Sequence, residues 1–288
     1  MRTEDFTKFV IARHDVFLNR MRLKPKPWTS DTILQRYRFC NVYRELDVVT
    51  QWIAQNWRTP LANNPDLWFW MLVARLVNHP PTLQLLTRMT ENDKWNEDRF
   101  IKIVEGIQTE GLKAWGGAYI VSTNGRQLPK ALYIATEVLG PAWKHRREIQ
   151  PRQHDTLASF CTRLMTLNGI QGFIAGQVIA DAKYADEDLA EAFDWHTFAI
   201  SGPGSKRGMN RVLSAQVNRP WREESWKASL LLLRDGTNAA LKKLHKKNKP
   251  DDYPPLHAQD VQNCLCEFDK YERVRLGEGK PRSTYPGL

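Results

Sequence analysis

No stretch of about 18 consecutive apolar residues occurs, so no membrane-spanning helix is expected. The first residues, Met1-Arg2-Thr3-Glu4-Asp5, carry acids and lead into no apolar run, so no secretory signal is expected either. Cysteine is scarce. Cys40, Cys161, Cys264 and Cys266 match neither a paired zinc spacing nor a four-cysteine iron–sulfur spacing. Reduced thiols in a cytoplasmic protein are the expectation, with a metal site at Cys264 and Cys266 as the alternative. No GxxxxGK[ST] phosphate loop occurs, so no ATP chemistry is expected. Internal repeats are missing, which excludes a solenoid. Strand signals are few. The best is Gly117–Ser122 before the turn pair Asn124-Gly125, read as a short extended piece or irregular loop.

What is present is helical and basic. With 42 Lys and Arg against 32 Asp and Glu, the formal charge is +10, which suits a polyanionic partner. Apolar residues make up 42%, ordinary for a globular chain of 288 residues with a real core. Phe39, Val42, Leu46, Val49 and Ile53 recur at three- and four-residue steps and predict one helix over Arg36–Ile53. Leu67–Val77 reads as a core helix. Thr82–Met89 follows after Pro80-Pro81, then Asp98–Gly106 ended by its glycine. Leu128–Leu139 is expected to stop at Gly140-Pro141. The fold class is therefore mainly α. Lys24–Pro27 reads as a linker, Ser201–Gly208 as a glycine-rich basic loop, and Lys246–Pro255 as a connector. An N-terminal segment (1–28), a helical domain (29–276) and a C-terminal arm (277–288) are expected.

The most specific local feature is Leu167-Asn168-Gly169-Ile170-Gln171-Gly172. Leu157, Phe160, Leu164 and Leu167 predict a helix before it. Phe173, Ile174, Val178 and Ile179 predict one after it. A helix, a short glycine hairpin and a second helix can grip DNA backbone through N–H groups, with Gly169, Gln171 and Gly172 as the contacts. An ordinary helical hairpin is the alternative. Lys242, Lys243, Lys246 and Lys247 form a basic run suited to tracking phosphates. On the Arg36–Ile53 helix, Asn41, Arg44 and Asp47 would share one side. Arg44 could clamp a phosphate and Asp47 could take a proton from an amine, or the two could be a structural ion pair. The 202–208 loop offers Gly204, Ser205, Lys206 and Arg207 as an anion nest, or as a solvated loop. Glu267, Asp269 and Lys270 lie on an amphipathic helix and read as surface or interhelix pairs rather than catalysts.

The hairpin, followed by Phe193-Asp194-Trp195-His196, resembles the helix-hairpin-helix DNA glycosylase superfamily. The resemblance implies a glycosylase-like helical fold, base flipping, and Asp194 with His196 as catalytic candidates. Asn168 and Gln171 stand where that pattern has Pro and Gly. Phe173 stands at the position of the lyase lysine, so β-lyase chemistry is not expected. A helix cap for the segment at Trp195 is the plainer role for Asp194.

A wider resemblance rests on four segments: Arg36–Asp47, Gly117–Val121, Gly202–Gly208 and Asp260–Tyr271. Together they are similar to the phage α-glutamyl/putrescinyl-thymine pyrophosphorylase family, whose helical module also occurs in 5-hydroxymethyluracil DNA kinases. This implies hypermodification of thymine in bacteriophage DNA, in the host cytoplasm. A (pyro)phosphorylated 5-hydroxymethyluracil would exchange its (pyro)phosphate for an amine or amino acid. Tyr43 and Tyr119 join the substrate-binding candidates. No cofactor is expected beyond that amine co-substrate. The implied partners are double-stranded DNA containing modified thymine and a 5-hydroxymethyluracil DNA kinase. Two other functions stay open: a glycosylase excising a modified base, and a non-catalytic DNA-binding accessory.

Overall fold

The computed structural model describes residues 2–92, 94–117, 123–245 and 252–285, with Leu244 and His245 in backbone only. The regular elements among them are helices. In chain order these are α1 (Thr3–Met21), α2 (Thr32–Arg36), α3 (Val48–Ile53), α4 (Leu67–Val77), α5 (Pro80–Glu91), α6 (Glu97–Thr109), α7 (Lys130–Tyr133) and α8 (Gly140–Lys144). Then come α9 (Arg146–Ile149), α10 (Leu157–Leu164), α11 (Gly172–Ala182), α12 (Glu187–Ala190), α13 (Pro203–Val212), α14 (Glu223–His245) and α15 (Ala258–Arg275). The mainly α reading holds. The expected 29–276 domain resolves into two compact units. Unit 1 combines Met1–Asp47 with His196–Leu288, and unit 2 is the inserted stretch Val48–Trp195.

In unit 1, α1 turns Phe6, Phe9 and Val10 inward. Both phenyl rings meet Phe268 of α15 at 5.5 Å between centroids. Trp226 and Leu230 of α14 complete this core. Each such fully buried side chain contributes about 2 kcal/mol from lost water contact alone. Helix α13 lies so close on α15 that a Cβ built on Gly208 would sit 2.1 Å from the Leu265 carbonyl oxygen.

In unit 2 every residue of α4 is buried. Its polar member, Arg75, is held by Asp181 of α11: Nε to Oδ2 and Nη2 to Oδ1, both at 2.5 Å. Arg75 Nη2 also donates to Thr50 Oγ1 at 3.0 Å.

Four expectations need correction. The Arg36–Ile53 helix does not form. Helix α2 stops at Arg36, a loop follows with a single 3-10 turn at Arg44–Leu46, and α3 starts at Val48. The apolar stripe that suggested one helix is shared out, Val42 to the core of unit 1 and Ile53 to unit 2. Helix α6 runs on through Gly106 to Thr109, since a glycine on an outer face weakens a helix by only about 1 kcal/mol. The helical path also passes Gly140-Pro141. A wide π turn at Ile134–Leu139 lets α8 continue past the proline. Pro141 has no N–H to offer the carbonyl of Glu137, and Asn168 Nδ2 supplies that hydrogen bond instead, at 3.1 Å. Finally, residues 277–285 are no free arm. Tyr37 and Thr284 form a bridge, the Arg38 N–H donates to Ser283 O, and the Tyr285 ring rests against Trp28 at 5.4 Å. The extended piece at Gly117–Ser122 is described only at Gly117, and the connector only from Asp252.

Candidate active site

Asn41 organises the loop that replaces the expected helix. Its N–H donates to Asp47 Oδ1 at 2.9 Å and its side-chain Nδ2 to Leu46 O at 2.6 Å. Asn and Asp side chains offer the backbone such local partners in competition with helical bonding. So Asn41 and Asp47 do meet, across a loop rather than along a helix. The loop is laid on α15: the Arg44 N–H donates to Asp260 Oδ1 at 3.1 Å, and Asn263 Nδ2 donates to Asn41 O at 3.3 Å. The Cys40 N–H reaches Glu267 Oε2 at 3.3 Å. Tyr43 donates its hydroxyl to Pro254 O at 2.7 Å, and its ring stands edge-on to His14 at 4.8 Å.

Burial pushes the Asp47 carboxyl above the usual carboxylate range. The Asn41 N–H and the charges of Arg44 and Arg13 pull the other way. A carboxyl shifted upward in this manner is better suited to accepting a proton than an ordinary solvated carboxylate.

Arg13 of α1 enters the same neighbourhood. It is 5% exposed. Its Nη2 donates to Cys264 Sγ at 2.8 Å, and its Cζ lies 5.1 Å from the centre of the Phe9 ring. Its Nε and Nη1 have no hydrogen-bond partner. The guanidinium lines a narrow slot with Arg20, Tyr37, Phe39, Asn41 and Tyr285. None of the sequence motifs includes Arg13. The available signal was positional: it falls on the buried side of α1 with Phe6, Phe9 and Val10, where a charge is out of place.

The anion nest at 202–208 is contradicted. Pro203 opens α13, so the segment is helix rather than loop. Gly204 packs under Cys266, with Sγ 3.1 Å from where a Cβ would stand. Ser205 is buried, and its Oγ accepts the Gly202 N–H at 2.9 Å. Arg207 Nε is bound to buried Asp269 at 2.9 Å, which also receives Arg211 Nε at 2.8 Å. Lys206 Nζ faces Glu223 at 4.0 Å. These side chains fasten α13 to its neighbours. Glu267 and Lys270 pair with each other at 2.5 Å one turn apart along α15, so of the three charges expected to pair it is Asp269 that reaches a second helix. Burial pushes the Cys264 thiol up to about 11 and the Cys266 thiol to about 12, against the thiolate that metal ligation requires.

In unit 2 the helix-hairpin-helix forms as expected, with α10 and α11 flanking the turn. Gly169 takes φ +74°, a conformation that favours glycine. Gln171 is the N-cap residue of α11, Gly172 opens that helix, and Phe173 is exposed. Asp194 is buried and accepts the N–H groups of Leu157 at 2.7 Å and Ala158 at 3.1 Å. It caps α10, and the segment at Trp195 is turn rather than helix. Asp194→Ala should therefore lower the stability of unit 2 by about 2–3 kcal/mol, the scale of a lost cap with a charged acceptor. Asp194→Asn, which keeps one acceptor oxygen, should lose less. Urea unfolding of the two variants checks this, and equal losses would count against the cap.

His196 belongs to unit 1, where its ring meets His257 at 4.8 Å and its carbonyl accepts the Ala258 N–H. The catalytic pair read from Asp194 and His196 is thus divided between the two units. Lys242 and Lys243 are exposed on α14. Tyr119, Lys246 and Lys247 lie outside the described residues. Among the described residues no helix is long and apolar enough to cross a membrane, and no group of three or more His, Cys, Asp or Glu could hold a metal ion.

No curated protein and no solved structure matches the chain. A family model does match, described as 5-hmdU DNA kinase, helical domain, and it spans residues 1–281. The match takes in the Asn41–Asp47 loop, α13, α15 and the hairpin alike. The chain is a member of the 5-hmdU DNA kinase helical-domain family.

Proposed function

We propose that the protein acts in thymine hypermodification, on (pyro)phosphorylated 5-hydroxymethyluracil within DNA, and replaces the (pyro)phosphate with an amine or amino acid. The observation that carries this reading is the Asn41–Asp47 pair, a half-buried carboxyl raised above its usual range and fixed by a backbone N–H. Membership of the 5-hmdU DNA kinase helical-domain family supports 5-hydroxymethyluracil as the base.

The reaction breaks the bond between the exocyclic methylene carbon and the phosphate oxygen, which leaves with the electron pair. A C–N bond forms at the same carbon. The amine must shed one proton, and Asp47 is the group placed to accept it. Asn41 holds that carboxyl through its N–H. The glycine hairpin of unit 2 offers the DNA backbone a second contact through the N–H groups at the start of α11.

The test is incubation of DNA carrying phosphorylated or pyrophosphorylated 5-hydroxymethyluracil with a pool of amines and amino acids, followed by nucleoside mass spectrometry. A nucleoside carrying the amine in place of (pyro)phosphate is the expected product. Asp47→Asn should reduce its formation by at least about a hundredfold, the scale for a positioned proton acceptor. Release of free base would assign the chain to excision instead. An unchanged nucleoside with DNA still bound would make it an accessory.

A further inference from the structure

We propose that Arg13 anchors an oxyanion subsite, and that the slot it lines takes the phosphate or pyrophosphate borne by the modified base. The assignment of that phosphate to a base rests on the function proposed above; the anion site itself does not.

A buried arginine requires acceptors for its charge and its N–H groups. A guanidinium presents five N–H donors in a fixed fork, and leaving them unpaired away from water is unfavourable. Two other deeply buried arginines satisfy this with carboxylates. Arg75 holds Asp181 through two nitrogens, and Arg211 holds Asp269 through Nε. Arg13 differs. Its Nη2 faces a thiol, a weak acceptor that burial keeps protonated. Its Nε and Nη1 are buried and have no acceptor among the described residues. Asp47 and Glu267 are near enough to act on the surrounding groups by charge, but neither forms an ion pair with Arg13. Unpaired donors on two nitrogens of one buried guanidinium call for anionic oxygens as acceptors.

The rest of the slot favours phosphate. Arg20 stands seven residues along α1, two turns from Arg13 and on the same face. Its Cζ is held 5.5 Å from the Tyr285 ring, so a second guanidinium lines the slot already oriented. Asn41 reaches the slot too, and it is the residue that fixes Asp47. One loop therefore joins the anion-binding fork to the proposed proton acceptor. A leaving phosphate held by Arg13 would gain its extra charge against a fixed cation, the arrangement that stabilises departure.

Full-length protein titrated with inorganic pyrophosphate, read by thermal shift and calorimetry, tests the anion site without turnover. The unmodified protein should bind and melt higher. Arg13→Met should weaken pyrophosphate binding at least about tenfold, while its own melting temperature without ligand stays equal or rises, because an uncompensated buried charge has been removed. Arg13→Lys keeps the charge but loses the fork and should weaken binding severalfold. Arg20→Gln, altered at the second guanidinium, should weaken binding as well. Absence of pyrophosphate binding, or binding unchanged in both Arg13 variants, overturns the proposal. A competing oligonucleotide with phosphorylated 5-hydroxymethyluracil should displace pyrophosphate, whereas the unmodified oligonucleotide should not. Equal displacement by both would give the slot to a backbone phosphate and overturn the base assignment. If pyrophosphate binds through Arg13 and no amine transfer occurs, the subsite stands and the transferase reading falls. If transfer proceeds at full rate in Arg13→Met, the subsite falls alone.

Discussion

Asp181→Asn is expected to destabilise unit 2 by about 3–5 kcal/mol, the scale for stranding one member of a buried ion pair. Asp181 is fully buried and Arg75 is 2% exposed, so water cannot take over the missing partner. The substitution keeps the shape of the side chain and removes only its charge. The loss therefore measures the uncompensated guanidinium rather than a cavity. Replacing both partners should behave differently. Arg75→Met combined with Asp181→Leu removes both desolvation penalties and should recover most of the stability, since such pairs are often replaceable by apolar residues of similar volume. Urea unfolding of the two singles and the double completes the cycle. A double variant as unstable as the sum of the singles would mean that packing around α4 and α11, not charge, dominates there.

Gly208→Ala is expected to destabilise unit 1 by about 3 kcal/mol, the upper end of the range for overpacking a close-packed contact. In an exposed helix the same change would help by about 1 kcal/mol through helix propensity. The clash decides the sign. The new methyl would lie 2.1 Å from the Leu265 carbonyl oxygen and 2.7 Å from its carbonyl carbon. Backbone cannot rotate aside as a flexible side chain can, so α13 and α15 must separate. Separation would strain the ion pairs from Arg207 and Arg211 to Asp269. It would also disturb α15, on which the Asn41–Asp47 loop lies, so the proposed amine transfer should fall together with the melting temperature. A Gly208→Ala protein that melts like the original would show that the helices can slide apart freely.

How much the sequence disclosed follows from how many partners each segment serves. Helices α4, α10 and α11 were legible because one apolar pattern feeds one core. The stretch after Arg36 misled because its apolar residues feed two units, and because Asn41 and Asp47 bond to nearby backbone. Their chemical types were visible, but their meeting across a loop was not. The glycines at 202–208 read as loop freedom, whereas Gly208 is there to admit a neighbouring backbone. Arg13 was least accessible. Its significance depends on Cys264, 251 residues along the chain, and on acceptors that are missing around it. No local pattern encodes a missing partner.

The insertion of unit 2 into unit 1 has a consequence for synthesis. On the ribosome α1 emerges before α13, α14 and α15, which cover its apolar side. Val48–Trp195, which is 195 − 48 + 1 = 148 residues, must be made in between. At roughly 5–20 residues per second, Phe6, Phe9 and Val10 wait at least roughly 7–30 s for their native neighbours. Unit 2 is contiguous and can close as soon as it has left the exit tunnel. The nascent chain therefore passes through a stage with a finished central body and an uncovered greasy leader, the form in which a chaperone would find it.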